Sequence, residues 1–134
     1  MSQQFGADAQ GNSATVNIPN VTETTILTTN FIPVPFENGK ARINGQLVVT
    51  PGTSTTALVL RVRRNPNAEN LVVLTETVTS GFTVGSASDI GFGCVDPIPD
   101  GRSVQYAVTV QQTGGAAAGT AQLGCLIDAV MYSG

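Results

Sequence analysis

The feature that most constrains the fold of this chain is a regular alternation of apolar and polar side chains. In residues 55–63 one face carries Leu58, Leu60 and Val62. The other face carries Ala57, Val59, Arg61 and Arg63. Successive side chains of a β-strand point to opposite faces of the sheet, so a period of two is the period of a strand. The segment therefore predicts a half-buried strand with its leucines in the core and its arginines outside.

The composition favours strands along most of the chain. The 134 residues include 17 threonines, 16 valines and 7 isoleucines, and these β-branched side chains pack well on a pleated surface. Turn signals recur mostly about 8 to 15 residues apart, which is typical of a sandwich or barrel, and no segment needs a helix. We predict an all-β fold, an antiparallel β-sandwich with the jelly-roll topology of about eight strands.

Two later segments indicate which side chains are inside. Residues 103–112 alternate, and the predicted core face holds Val104, Tyr106, Val108 and Val110. Residues 120–132 are apolar on both faces. One face holds Ala121, Leu123, Cys125, Ile127, Ala129 and Met131, and the other holds Gln122, Gly124, Leu126, Asp128, Val130 and Tyr132. Such a strand is either central in its sheet or covered by another subunit. The remaining predicted strands are 22–29, 31–36, 41–50, 70–78, 82–85 and 89–94.

The chain divides into two predicted parts. Residues 1–20 are rich in Gln, Gly, Ala, Asn and Ser and show no sustained period, so they bury too little apolar surface to offset the entropy of ordering. We predict a flexible N-terminal arm over 1–20 and a jelly-roll domain over 21–134. The arm is either disordered or ordered by docking on a neighbouring subunit.

The residue inventory argues against catalysis. The chain has no histidine, the most frequent general base and the commonest metal ligand. Lys40 is the only lysine and sits in a predicted surface turn, and no pattern selects a catalytic pair among the nine acidic residues. We therefore expect no enzyme and no cofactor. The net charge of -3 gives no field that gathers nucleic acid. Because no secretory signal or membrane span is evident, we expect synthesis in the cytoplasm.

Three smaller features each have two interpretations. Asp96 and Asp100 offer oxygens to Ca²⁺, but turn formation explains them better. The cluster of Arg61, Arg63 and Arg64 fits an acidic partner, although protection of a sheet edge is the favoured explanation. Cys94 and Cys125 leave a disulfide open, with Cys125 favoured as a buried thiol.

The aromatic residues weigh against a lectin without excluding it. The chain has no tryptophan, two tyrosines and five phenylalanines, whereas carbohydrate sites usually present an aromatic platform. Four phenylalanines lie in or next to apolar segments and are assigned to the core: Phe31, Phe36, Phe82 and Phe92. Tyr132 remains available to bind a ligand.

Most of the chain resembles a known class of protein. Residues 47–53 read LVVTPGT, 57–64 read ALVLRVRR and 106–111 read YAVTVQ, followed by a Gly/Ala hairpin and the apolar last strand. This series is similar to small bacteriophage virion proteins with a trimeric jelly roll like those of tumour necrosis factor and C1q. The resemblance implies a homotrimer that decorates a capsid or forms part of a head or tail fibre. It also implies a major capsid protein, or another virion protein, as a partner.

The same resemblance indicates where subunits meet. In such trimers the sheet that contains the first and last strands packs around the threefold axis. Only 11% of the residues are charged, so part of the neutral surface is expected to be covered by other copies. The predicted interface comprises Gln105, Ala107, Thr109, Gln111, Gln122, Leu126, Val130 and Tyr132. The alternative is a carbohydrate- or receptor-binding module.

Overall fold

The computed structural model describes residues 4–34, 38–98 and 102–133. Within these residues ten strands pair antiparallel in two sheets, and no helix is present. The strands are β1 (Gln4–Gly11), β2 (Val16–Ile18), β3 (Thr24–Thr28), β4 (Gly39–Thr50), β5 (Ala57–Arg64), β6 (Leu71–Val78), β7 (Ser88–Ile98), β8 (Tyr106–Thr113), β9 (Gly119–Ala121) and β10 (Leu126–Tyr132). The predicted all-β sandwich is confirmed.

Sheet I is organised around one long strand, β4, and sheet II is a simple row of four strands. Sheet I runs β1-β10-β4-β9-β2, and β7 pairs with the other edge of β4. The 12-residue strand β4 therefore pairs with β10 and then β9 on one side and with β7 on the other. Sheet II runs β3-β8-β5-β6. The first and last strands of the chain are thus neighbours in sheet I.

The core lies between the two sheets and follows the predicted alternation. Sheet II contributes Leu58, Leu60, Val62, Tyr106, Val108 and Val110, all 0–1% exposed. Sheet I contributes Ile43, Leu47, Val49, Ile127, Ala129 and Met131, all fully buried. These side chains alternate with residues on the outer faces, so each sheet buries one face against the other.

Three of the predicted strands are not continuous strands in the structure. Residues 82–85 form a turn, in which Gly85 has a positive φ of 80°. Of residues 31–36, Ile32 makes a single bridge to Val104, and 35–36 lie outside the described residues. The predicted strand 120–132 is interrupted between β9 and β10, where Gly124 has a φ of 100°. Leu123 lies in this turn and is 58% exposed, so its assignment to the core face is wrong.

The phenylalanines divide between core and surface. Phe92 is buried, Phe82 packs partly against the core, and Phe36 lies outside the described residues. Phe31 is 62% exposed, so its assignment to the core is wrong. The next residue, Ile32, is 1% exposed and turns inward. In an extended segment the neighbour of an inward side chain points outward.

Part of the N-terminal segment predicted as a flexible arm forms two strands of sheet I. Gln4–Gly11 forms β1 along β10, and Val16–Ile18 forms β2 along β9. Ile18 is fully buried. The side-chain pattern did not reveal β1, because its less exposed positions include Gly6, Asp8 and Gln10 and so show no apolar period. How readily this segment detaches stays a prediction.

A buried glutamine ties together the loops at one end of the sandwich. Gln112 is fully buried at the end of β8. Its Oε1 accepts a hydrogen bond from the Gly52 amide at 3.2 Å, and its Nε2 donates to the Ala117 carbonyl and to Asn20. One side chain thus satisfies backbone groups of two different loops.

We expect Gln112→Leu to lower the free energy of unfolding by about 2–4 kcal/mol, because it leaves buried backbone groups without partners. Gln111→Leu is the matched control. Gln111 directly precedes Gln112 on β8. Its side chain accepts a hydrogen bond from Arg61 and donates one to the Val21 carbonyl, so losing these bonds should lower the free energy of unfolding by less than about 1 kcal/mol. Urea denaturation of both variants makes the comparison, and equal effects would contradict it.

Candidate functional site

The outer face of sheet I is open across four adjacent strands. The register places Ala7, Val130, Arg42 and Val95 in one row across β1, β10, β4 and β7. The next row holds Ala9, Asp128, Asn44 and Gly93, and the third holds Gly11, Leu126, Gln46 and Gly91. We call these twelve residues, with Tyr132, the sheet I face.

The sheet I face is flat, and its charged residues, Arg42 and Asp128, lie on its two central strands, where the exposed Lys40 is the partner of Tyr132 in the register. Its flanking strands carry only alanine and glycine in most positions, so no side chain rises above the sheet there. Leu126 is 43% exposed and Val95 is 56% exposed. The guanidinium of Arg42 lies over the Tyr132 ring at 5.2 Å from its centroid, a cation–π contact that covers part of its charge. Exposed apolar side chains on a flat sheet face are typical of a protein–protein interface.

The eight predicted interface residues fall on two opposite sides of the sandwich. Leu126, Val130 and Tyr132 belong to the sheet I face, and Gln122 lies in the turn before β10, bonded to Thr50. Of the other four, Ala107, Thr109 and Gln111 lie on the outer face of β8 in sheet II, and Gln105 comes directly before that strand. The structure therefore does not bring the two groups together. Ala107 and Thr109 are already buried within the chain.

The sequence analysis missed part of the sheet I face. The predicted strand 89–94 ends one residue before Val95, whereas β7 continues to Ile98. Extending the alternation from Ile90 and Phe92, both buried, would have placed Val95 outside. Gly91 and Gly93 carry no side-chain signal, so only the pairing of β7 with β4 reveals that they share this face.

The outer face of sheet II holds a compact charge network. Arg63 donates two hydrogen bonds to the Glu23 carboxylate, at 2.7 and 2.9 Å, and Arg61 donates a third at 3.2 Å. The Thr109 hydroxyl donates a fourth at 2.8 Å. The hydrogen bonds from Arg63, with that from Thr109 and the two cationic charges, outweigh partial burial and lower the pKa of Glu23 to about 2.

The arginines do not protect a sheet edge, so that interpretation is wrong. Strand β5 pairs with β6 on one side and β8 on the other. Its arginines are therefore in the middle of sheet II, and Glu23 next to β3 supplies the counter-charge of Arg61 and Arg63.

The Glu23 network predicts a specific dependence of stability on pH. Because the folded pKa lies below the unfolded value of 4.5, the stabilisation is present above pH 4.5 and is lost as pH falls towards 2. We expect Glu23→Gln to be less stable than the wild type at pH 7 by about 1–2 kcal/mol after allowance for solvent screening. The gap should close by pH 2. Urea denaturation across this range measures it, and a gap independent of pH would contradict the assignment.

A second charge cluster joins the two sheets in the interior. Arg64 of β5 donates to both oxygens of Asp96 of β7 at 3.0 Å, and its Nε donates to Glu69 at 2.6 Å. The Tyr106 hydroxyl donates to Asp96 at 2.6 Å. Burial, followed by the bond to Asp96, raises the pKa of Tyr106 far above its usual value, so the phenol stays a donor.

The sequence offered a signal for Arg64 that the predicted strand did not reach. That strand ended at Arg63, but continuing its period from Leu60 and Val62 places Arg64 on the core face. Its side chain is 8% exposed, and that of Asp96 is 4% exposed. Asp96 is therefore engaged by a guanidinium and a phenol, which leaves it unsuited to hold Ca²⁺. Asp100 lies outside the described residues.

We expect Arg64→Met to destabilise the protein by about 3–5 kcal/mol, because it leaves the Asp96 carboxylate buried without a cation. The matched control is Arg61→Met on the same strand, which breaks a partly exposed ion pair and should cost less than about 1 kcal/mol. Thermal and urea denaturation compare the two. Similar losses for both would show that the interior cluster is not special.

Both cysteine thiols have pKa values raised away from the reactive thiolate form. Cys94 and Cys125 are free. Burial, with the Asp96 charge, raises the pKa of Cys94 to about 11. Burial also raises the pKa of Cys125, whose thiol donates to the backbone carbonyls of Val48 and Gln122. Among the described residues no group of three His, Cys, Asp or Glu side chains is placed to bind a metal, and no helix there is long and apolar enough to cross a membrane.

The comparisons with known proteins give a fold without a sequence family. No family model matches the chain, and no curated protein matches it. Solved structures do match. A structure of infectious bursal disease virus, Gx strain, has a TM-score of 0.60 at 16% identity over 100% of this chain and 32% of the viral chain. The chain thus spans about a third of that viral protein.

Two further solved structures match the chain. Eiger TNF from S. frugiperda matches with a TM-score of 0.59 at 15% identity, covering 95% of this chain and 91% of Eiger. The VP2 subviral particle of infectious bursal disease virus matches at 0.52 and 16% identity, over 98% of this chain and 37% of VP2. The chain therefore has the jelly-roll fold of these viral and tumour necrosis factor proteins, as the sequence resemblance predicted.

Proposed function

We propose that this protein is a non-enzymatic structural subunit of a virus particle, and that it assembles as a homotrimer through the sheet I face. The observation that carries the proposal is the sheet I face itself. A solitary soluble domain normally covers an exposed sheet face with charged side chains, but the two flanking strands here present Ala7, Ala9, Gly91 and Gly93. Small side chains let a second surface approach closely.

The topology supports the same surface. In trimers of the tumour necrosis factor type, the sheet with the first and last strands packs around the threefold axis. In this chain that sheet is sheet I, because β1 and β10 pair there. This favours Leu126, Val130 and Tyr132 as interface residues. The proposed interface leaves out the predicted residues on or directly before β8, which belongs to the opposite sheet: Gln105, Ala107, Thr109 and Gln111.

The fold and the residue inventory support the structural role. A jelly roll is shared with the VP2 subviral particle of a virus, and the chain lacks histidine. We propose a bacteriophage virion as the location, with the protein decorating the capsid or forming part of a head or tail fibre. Its partners are then further copies of itself and a major capsid protein or another virion protein.

We expect the purified protein to scatter light as a particle of about three times 13.8 kDa. Leu126→Arg should convert it to a folded monomer, because Leu126 is an exposed apolar residue of the sheet I face and a guanidinium in its place is costly to desolvate in an interface. Leu71→Arg is the matched control, since Leu71 is 45% exposed on β6 of the other sheet. It should leave the trimer intact. A wild-type monomer, or equal dissociation by both variants, would overturn the proposal.

A further inference from the structure

An open groove lies at one end of the sandwich, away from the sheet I face. It runs along both sides of Asn67, in the turn between β5 and β6. On one side is a cleft of about 370 Å³ lined by polar side chains of sheet II, including Glu23, Arg63 and Asn70. On the other side is a mainly apolar hollow of about 250 Å³ that includes Phe31 and Ser103. We call the two together the Asn67 groove.

The aromatic side of the groove is unusual for this chain. Phe31 is 62% exposed, more than any other large apolar side chain among the described residues. It stands beside Asn67 and Ser103, whose side chains make no hydrogen bond to the residues that the structure describes. An exposed aromatic ring beside one unpaired amide and one unpaired hydroxyl offers both an apolar platform and directional donors and acceptors.

The two charged residues that line the polar side of the groove, Glu23 and Arg63, are paired with each other. The charge of Glu23 is met by Arg61 and Arg63, and Arg63 also donates to the Asn70 carbonyl at 3.3 Å. The Thr25 hydroxyl and the side-chain amide of Asn70 are uncharged donors and acceptors that line the cleft beside this ion network. Because its carboxylate and guanidinium groups already satisfy one another, the cleft favours a ligand with hydroxyl groups over one with a strong charge.

The loop that carries Asn67 is held in place from several directions. Asn65 and Asn70 both have left-handed φ angles, of 49° and 50°. The backbone N–H of Asn70 donates a hydrogen bond to the backbone carbonyl of Asn65 at 2.9 Å. Glu69 accepts hydrogen bonds from Arg64 and Arg102. A loop fixed in this way loses little conformational entropy when a ligand binds.

We infer that the Asn67 groove binds a neutral oligosaccharide. One sugar ring lays its C–H face on Phe31, and Asn67 and Ser103 bond the hydroxyls at its rim. The adjoining sugar lies in the polar cleft against Asn70, Thr25 and the Glu23–Arg63 pair. Two neighbouring hollows that share one amide side chain match the succession of units in a short glycan. The groove lies on sheet II and its loops, so it stays accessible when the sheet I face is covered.

The test is a titration of the full-length ¹⁵N-labelled protein with neutral hexasaccharides, followed by NMR. The panel holds maltohexaose, cellohexaose, laminarihexaose and mannohexaose, with a heparin hexasaccharide as the charged probe. We expect at least one neutral sugar to shift the side-chain amide signals of Asn67 and Asn70 at millimolar concentration. Silence of all four neutral sugars, or binding of the heparin probe alone, would overturn the inference.

Variants locate the site. Phe31→Ala and Asn67→Ala should each weaken the affinity for the responding sugar at least tenfold. Leu123→Ala removes an equally exposed side chain, 58% accessible, from the turn before β10, which lies beside Val48 at the other end of the sandwich. It should change the affinity less than twofold. Equal losses in all three variants would place the sugar elsewhere and overturn the inference.

The sugar-binding test can succeed or fail independently of the proposed homotrimer. Light scattering of Phe31→Ala should give the mass of the wild type, since Phe31 is not part of the sheet I face. Sugar binding by a monomeric wild type would support the groove and remove the trimer. A trimer that binds none of the sugars would do the reverse.

Discussion

The buried ion pair between Arg64 and Asp96 is the interaction on which the working surfaces of this protein depend. It is the point where a charged side chain of sheet II crosses the core to sheet I. An ion pair in this position is worth little compared with apolar packing, but breaking it is costly, because either partner alone is a desolvated charge. The pair therefore specifies which ends of the two sheets lie together more than it stabilises them.

Each partner of that pair has a neighbour with a proposed role. Asp96 points inward from β7, so Val95 next to it points outward into the sheet I face. Arg64 ends β5, and its second contact, Glu69, anchors the turn that presents Asn67. One interior cluster thus positions both the flat face that we assign to assembly and the groove that we assign to sugars. The two lie on different sheets, as a virion protein needs if one side faces its own copies and the other faces outward.

The two charge networks show how a chain with so few charged residues uses them. Three of the five arginines lie on β5, where Arg61 and Arg63 point outward and Arg64 points inward. The outward pair binds Glu23 and gives sheet II a polar exterior. The inward arginine binds Asp96. On the sheet I face the guanidinium of Arg42 lies over the Tyr132 ring.

The sequence by itself determined the fold class and the core. The alternation of Leu58, Leu60 and Val62 and of Tyr106, Val108 and Val110 predicted their burial, because the two-residue period of a strand is a local property. It also identified Leu126, Val130 and Tyr132 as a second apolar face. It failed for Phe31, whose apolar surroundings suggested the core, and for β1, whose less exposed positions Gly6, Asp8 and Gln10 show no apolar period. Only the tertiary structure decided that β8 and β10 belong to different sheets, that Gly91 and Gly93 join the face of β10, and that Glu23 meets Arg63. Those relations join residues far apart in the chain, and strand order and register, which no local period encodes, set them.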